Sequence, residues 1–185
     1  MRHCAGPPLV GLCLAALLWA GEGGVWLDVP FVRQEKNGCG AASIAMIMQY
    51  WQHQQHQPVT ADAAQIEKAL YSGKAHGIYA SDLERYLSGR GYQVFAFQAD
   101  WSDLETHLKK GRPLVAAVKP RGQKELHYVV VAGLDFAKDL VLINDPAERK
   151  LANEARLDFE KEWKATDHWT LLALPRQENS TSFSQ

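Results

Sequence analysis

Residues 34–51 read QEKNGCGAASIAMIMQYW and set a cysteine between two glycines at the start of an apolar run. Ala41, Ala42, Ile44, Ala45, Ile47, Met48 and Trp51 are apolar nearly all round, which predicts a helix buried at the centre of the fold. Cys39 stands at its first turn. Backbone N–H groups there lack intrahelical partners and the macrodipole is positive, a setting that favours thiolate over thiol. Gly38 and Gly40 permit a tight entry and leave the sulfur uncovered. Upstream, Gln34 carries an amide donor within reach of an oxygen held near that sulfur. Cys39 is the candidate nucleophile and Gln34 a candidate oxyanion donor.

The chain has 185 residues, 46% hydrophobic and 22% charged, which suits one globular domain with a substantial core. Net charge is −1, with no basic run of the kind that tracks phosphates, so nucleic acid is not an expected partner. At the amino terminus, Arg2 and His3 precede LVGLCLAALLWA (residues 9–20) and then GEGG. A positive start, a short apolar run and a small-residue exit predict a secretory signal peptide over residues 1–23. The run is short for a membrane-spanning helix. The expectation is export to a periplasmic or secreted location, with membrane attachment only if the segment stays uncleaved. Cys4 and Cys13 fall in that segment, leaving Cys39 as the thiol of the mature chain. An odd cysteine in an exported protein reads as a reactive thiol.

In chain order, residues 25–32 form an extended lead-in, where Pro30 breaks any central strand. The cysteine helix ends in QHQQHQ before Pro58. A second helix is expected over 60–70 with Thr60 as its cap. A third is expected over 81–87, with Ser81 as cap and Glu84 completing a capping box. A strand over 92–97 and a helix over 103–110, preceded by Asp100 and Ser102 as caps, come next. Strand-length runs follow at 114–118, 128–134, 140–143 and 170–174, with a short helix at 159–164. Helices followed by strands indicate an α+β domain over residues 24–175. Residues 176–185 form a polar tail in which Asn179-Ser180-Thr181 fits a glycosylation sequon.

A cysteine nucleophile needs a base, and the base an orienting group. His53 and His56 lie in a glutamine-rich turn, His107 on the polar side of a short helix, and His76 and His168 in loops; all read as surface residues. His127 differs, because it stands at the mouth of the apolar run YVVVAGL. The next run, LVLIN, leads into Asp145-Pro146. In an antiparallel hairpin, residues whose numbers sum to about 273 or 274 face each other. One register sets His127 and Asp145 diagonally on one face, and its neighbour brings Asn144 there instead. Either side chain is suited to accept the imidazole Nδ1–H.

Gln34–Cys39-Gly40, then His127-Tyr128, then Asn144-Asp145-Pro146, in this order, resemble the papain-like bacteriocin-processing cysteine peptidases, which cut leader peptides after Gly-Gly. The resemblance runs from about residue 29 to 175. It implies a helical lobe, with the nucleophile on its central helix, packed against an antiparallel sheet. It also implies Cys39 as nucleophile, His127 as general base and then acid, Asp145 as orienter, and Gln34 with the Cys39 N–H as oxyanion donors. Gly38 and Ala41 depart from the residues usual in that family. Its best-understood members are front ends of membrane export transporters, whereas this sequence reads as a free-standing exported version. The expected reaction is peptide-bond hydrolysis through a thioester. The alternatives are an amidase on cell-wall peptides and a non-catalytic peptide-binding module. The expected partner is a peptide or protein substrate. No cofactor or metal is expected, since the histidines lack a second soft ligand and Cys39 lacks a partner thiol.

Overall fold

The computed structural model describes residues 23–176. Nearly all of the expected signal segment, the tail beyond Arg176 and the sequon lie outside the described residues. The elements run β1 (Val25–Trp26), α1 (Cys39–Gln54), α2 (Ala63–Leu70), α3 (Ala80–Gly89), β2 (Tyr92–Gln98) and α4 (Trp101–Lys109). They continue with β3 (Leu114–Val118), β4 (His127–Asp135), β5 (Leu140–Asn144), β6 (Ala152–Ala155), α5 (Arg156–Lys164) and β7 (Trp169–Pro175).

The strands form one antiparallel sheet in the order β2-β7-β3-β4-β5-β6, with β1 added alongside β4. Helices cover both faces. On one, α1, α2 and α3 bring Ile44, Ile47, Ile66 and Leu83 against Tyr128, Val130 and Leu171. On the other, α4 and α5 bring Leu104, Phe159 and Trp163 against Val129, Val131 and Leu172. Side chains alternate between faces along a strand, so β4, covered on both, is apolar almost throughout.

Residues 40–48 of α1 are all buried, as the unbroken apolar character of that stretch requires. Two side-chain bonds seat the helix: Ser43 Oγ donates to Tyr128 O at 3.2 Å, and Trp51 Nε1 donates to Ala173 O at 2.9 Å.

Three local expectations need correction. α2 starts later than expected and is capped by Asp62, whose carboxylate accepts from the N–H groups of Ala64 and Gln65. Thr60 instead exchanges two hydrogen bonds with Gln52 at the far end of α1. Tyr79, not Ser81, is the N-cap of α3, and no side chain caps it. Strand β6 was not expected; its ANEA sequence carries no apolar alternation, and only pairing with β5 at the sheet edge makes it a strand. By contrast, Asp100 forms a complete capping box with Asp103 at the start of α4.

The β4–β5 register also changes along its length. Val130 pairs with Asn144 and Val131 with Ile143, but past a bulge Gly133 pairs with Leu142. The expected pairing therefore holds at the His127 end and slips by one towards the turn. The slip coincides with the docking of β1, since Gly133 also pairs with Trp26. A Cβ at 133 would stand 2.6 Å from Val25 O and 2.8 Å from the Trp26 side chain. Gly133→Ala should thus displace β1 and cost about 1–3 kcal/mol of stability, as overpacking does. Urea denaturation of both proteins measures this directly.

Candidate active site

Cys39 is the first residue of α1, with Gly38 as an N-cap that offers no side-chain acceptor. The turn is closed by its backbone: Gly38 N donates to Glu35 O at 2.8 Å, and Ala42 N to Gly38 O at 2.9 Å. That leaves the N–H groups at the helix start, including that of Cys39, outside the intrahelical ladder. Crowding explains the flanking glycines. A Cβ on Gly38 would lie 2.8 Å from Glu67 Oε2 and 2.9 Å from Glu35 O. One on Gly40 would press on Tyr128, Leu83 and Ile78 at 3.3, 3.4 and 3.5 Å.

His127 opens β4 and Asp145 directly follows β5. With Asn144 opposite Val130, Asp145 falls on the His127 side of the sheet, in the diagonal relation that one of the two registers predicts. The imidazole Nε2–H donates to Asp145 Oδ1 at 2.7 Å. This differs from the Nδ1 contact expected from sequence. The ring reaches along the sheet edge with its distal nitrogen, which leaves Nδ1 for Cys39.

Asn144 is not an orienter. It is fully buried, its Nδ2 donates to Val29 O at 3.2 Å, and its Oδ1 accepts from Leu151 N at 2.9 Å. It clamps the lead-in segment to the sheet.

The turn after β5 organises the rest of the site. Asp145 Oδ1 also accepts from Ala147 N at 2.8 Å. Arg33 donates to Glu148 O at 2.8 Å and Ala147 O at 3.3 Å, while Gln34 N donates to Pro146 O at 3.0 Å. Gln34 is thereby held against the turn that carries Asp145. Its Nε2 donates to Lys36 O at 2.7 Å, which leaves the second N–H of the amide for another acceptor. Its Oε1 is buried without a partner among the described residues.

Burial pulls the His127 imidazole towards neutrality, but its hydrogen bond to Asp145 and the neighbouring Cys39 outweigh this and push it up to about 9. Burial likewise raises Asp145. The hydrogen bond and charge of His127, with the N–H groups of Ala147 and Glu148, more than offset this and hold its carboxyl below the usual value. An imidazolium–carboxylate pair results.

Gln34, Cys39 and His127 line one cavity of about 260 Å³, together with His76 and Glu125. A cleft of about 430 Å³ extends from Cys39 between residues 75–80 and 125–128. Another, of about 520 Å³, extends past His127 and Asp145 to Glu148, Glu154 and Glu162. In the second, burial and then the charges of Glu162, Asp158, Asp145 and Glu148 push Glu154 up to about 7.

All four sequence-predicted residues therefore converge. Arg33 and His76 were missed. Arg33 reaches the site only through backbone carbonyls, and His76 through a left-handed turn (φ 49°) in the short Ser72–Gly77 bridge, and neither leaves a spacing signal. His107 is half-buried beside Phe97 rather than on a polar face, with its Nδ1 unpartnered among the described residues. His168 packs edge-on against Trp163 at 4.8 Å. Among the described residues no group of three or more metal-ligating side chains comes together.

Known proteins share this architecture. The sequence matches the family described as "Peptidase_C39 like family" over residues 26–170. A C39-like peptidase structure from Bacillus anthracis superposes with a TM-score of 0.67 at 18% identity, covering 84% of this chain and 99% of that one. Xylellain, a cysteine protease from Xylella fastidiosa, gives 0.62 at 13% identity, covering 84% and 87%. A double glycine motif protease from an AMS/PCAT transporter, in complex with the leader peptide, gives 0.61 at 19% identity, covering 82% and 95%. No curated protein matches the sequence. The fold is papain-like, with helices packed on an antiparallel sheet.

The charged pair predicts a particular pH dependence of stability. His127, raised from 6.5 to about 9, contributes fully below pH 6.5 and loses that contribution as pH rises through 9. Asp145, lowered from 3.8, contributes above that value and loses its contribution on acidification. The urea midpoint of the wild type should therefore fall between pH 6.5 and 9, and fall less in Asp145→Asn. Equal slopes in the two proteins would show that the pair carries no such linkage.

Proposed function

The chain belongs to the peptidase C39-like family, and from that premise we propose that it hydrolyses peptide bonds with Cys39, His127 and Asp145 as its catalytic triad. That it is a cysteine peptidase follows from the family and the papain-like fold. The observation that carries the residue assignment is that His127, hydrogen-bonded to Asp145, lines the same cavity as Cys39 and Gln34.

In the proposed reaction the Cys39 thiolate attacks the scissile carbonyl carbon, forming a C–S bond and an oxyanion. The Cys39 N–H and the free amide N–H of Gln34 stabilise that oxygen. The oxyanion collapses, the C–N bond breaks, and the imidazolium gives its proton to the departing amine. A thioester remains. Neutral His127 then takes a proton from water as it attacks the thioester carbonyl, and C–S cleavage restores the thiolate. Asp145 keeps the imidazole oriented and offsets its charge throughout.

The proposed substrate is an extended peptide cut after small residues such as Gly-Gly. The likeness to the double glycine motif protease bound to its leader peptide supports that class. We also propose export, on the strength of the apolar amino-terminal run.

With a Gly-Gly-containing peptide, Cys39→Ala should abolish turnover. Gln34→Ala should lower kcat about 10²–10³-fold with a smaller change in KM. Iodoacetamide should alkylate Cys39 at pH 6 at least about tenfold faster in the wild type than in His127→Ala, since the thiolate is the reacting form. A Cys39 indifferent to His127 would sink the triad. The export reading predicts that protein recovered from a producing cell begins between residues 21 and 25, which amino-terminal sequencing reads.

A further inference from the structure

Glu154 stands on the edge strand β6, where side chains alternate between the two faces of the sheet. It shares the face of the buried Ala152 and is itself half-buried, so its carboxylate lines the cleft of about 520 Å³ that runs past His127 and Asp145. Glu162 enters the same cleft from α5, and Glu148 from the turn after β5. Between them the cleft is lined by Val118, Val129 and Ile143, all buried in the sheet. An apolar surface is thus set beside three carboxylates, on elements that also carry the reacting histidine.

Among the described residues, none of the three carboxylates has an ion-pair partner. Glu162 Oε1 accepts from the backbone N–H of Arg121 at 3.1 Å, which fixes that side chain without neutralising its charge. Burial raises Glu154, and the charges of Glu162, Asp158, Asp145 and Glu148 add to it in the same direction. A cation placed among them would relieve both effects. Among the described residues no group of three or more His, Cys, Asp or Glu side chains comes together as a metal site, so the carboxylates line the cleft rather than converge on one point. Lys and Arg side chains match that layout. They lay a methylene stem along apolar surface and carry a charged head to acceptors beyond it.

The leaving nitrogen takes its proton from His127 in the proposed reaction, so the amine half of the substrate lies on the His127 side of the scissile bond. We infer that the carboxylate-lined cleft past His127 is an amine-side subsite for a Lys or Arg side chain at the first or second residue after the cut. This rests on the peptidase reading above and narrows its substrate class to peptides with a basic residue just beyond the cleaved bond. Glu154, Glu162 and Glu148 are then the specificity-determining residues on that side. The cleft that begins at Cys39 does not suit the same group, because Glu125 is the one carboxylate that lines it.

The test digests a complex peptide library with the full chain, using Cys39→Ala as control, and maps new termini by mass spectrometry. Cys39-dependent cuts should be enriched in Lys or Arg at one of the two positions after the cut. Synthetic peptides identical except for Lys or Met at that position should show kcat/KM at least about tenfold higher for Lys, the least that a charge-assisted hydrogen bond in a half-buried site supplies. That ratio should shrink in about 0.5 M salt, which screens the attraction. Glu154→Gln should lower the ratio towards one, and Glu154→Lys should bring it below one. If Glu154→Lys does not fold, Glu148→Lys, on the exposed turn, should lower the ratio in the same direction. A basic preference that survives these substitutions undiminished removes it from this cleft and overturns the subsite. Cys39-dependent cuts with Met equal to or better than Lys overturn it as well, while leaving the peptidase reading intact. A library with no Cys39-dependent cut overturns both.

Discussion

The close approach of the α1 start to β4 is the contact on which the site depends. Gly40 lies so near Tyr128 that an added methyl would already be crowded at 3.3 Å, and three residues on Ser43 bonds the Tyr128 carbonyl. Cys39 and His127 each begin their element, and each sits directly beside one member of that contact. The distance between Cys39 and His127 is therefore set by the packing of a helix on a strand. Groups held on secondary structure in this way are positioned more tightly than groups on loops. Burial of both faces of β4 adds to this, since neither side of the strand is free to relax.

Electrostatics then selects the protonation state. Desolvation alone would leave a buried imidazole neutral and a buried carboxyl protonated. Pairing reverses both tendencies here, and the turn after β5 assists by supplying N–H groups to Asp145. The pair is incompletely buried, with side-chain exposures of 12% and 15%, so solvent lightens the desolvation cost. In the acidic cleft beyond it, burial first and then the neighbouring carboxylates push Glu154 up to about 7. The cleft that begins at Cys39 is walled mainly by apolar residues, and the one past His127 and Asp145 is rich in carboxylates.

What was legible in the sequence follows from how local each feature is. The apolar run after Cys39 is long and unbroken, so the buried helix and its starting point were readable. So were strands β3, β4, β5 and β7, because sheet residues covered on both faces leave continuous Val, Leu and Ala runs, whereas edge strand β6 left none. The pairing of His127 with Asp145 needed only a hairpin and a register, yet the choice between Asp145 and Asn144 turned on a single residue of slip. The register does slip by one at the bulge before Gly133, where β1, from far away in the chain, also pairs. Caps failed where competition was close: Thr60 and Asp62 are both good caps, and Gln52 draws the threonine away. Arg33 and His76 act through backbone bonds and turn geometry, which composition and periodicity do not encode.

The coupling of Gln34 to Asp145 gives the site its last constraint. Gln34 N bonds Pro146 O, and Arg33 grips the next two carbonyls, so Gln34 and Asp145 share one turn. Asn144, immediately before it, bonds the carbonyl of Val29 and so holds the lead-in segment to the same strand. Gln34, His127 and Asp145 are therefore tied to the β4–β5 hairpin, while Cys39 belongs to α1. The helix–sheet contact at Gly40 and Ser43, together with the short turn from Gln34 to Gly38, joins the two at the site. A perturbation of the Asp145 turn should accordingly disturb oxyanion binding and base orientation together, whereas one at Gly40 should change the separation of sulfur from imidazole and leave the His127–Asp145 bond in place.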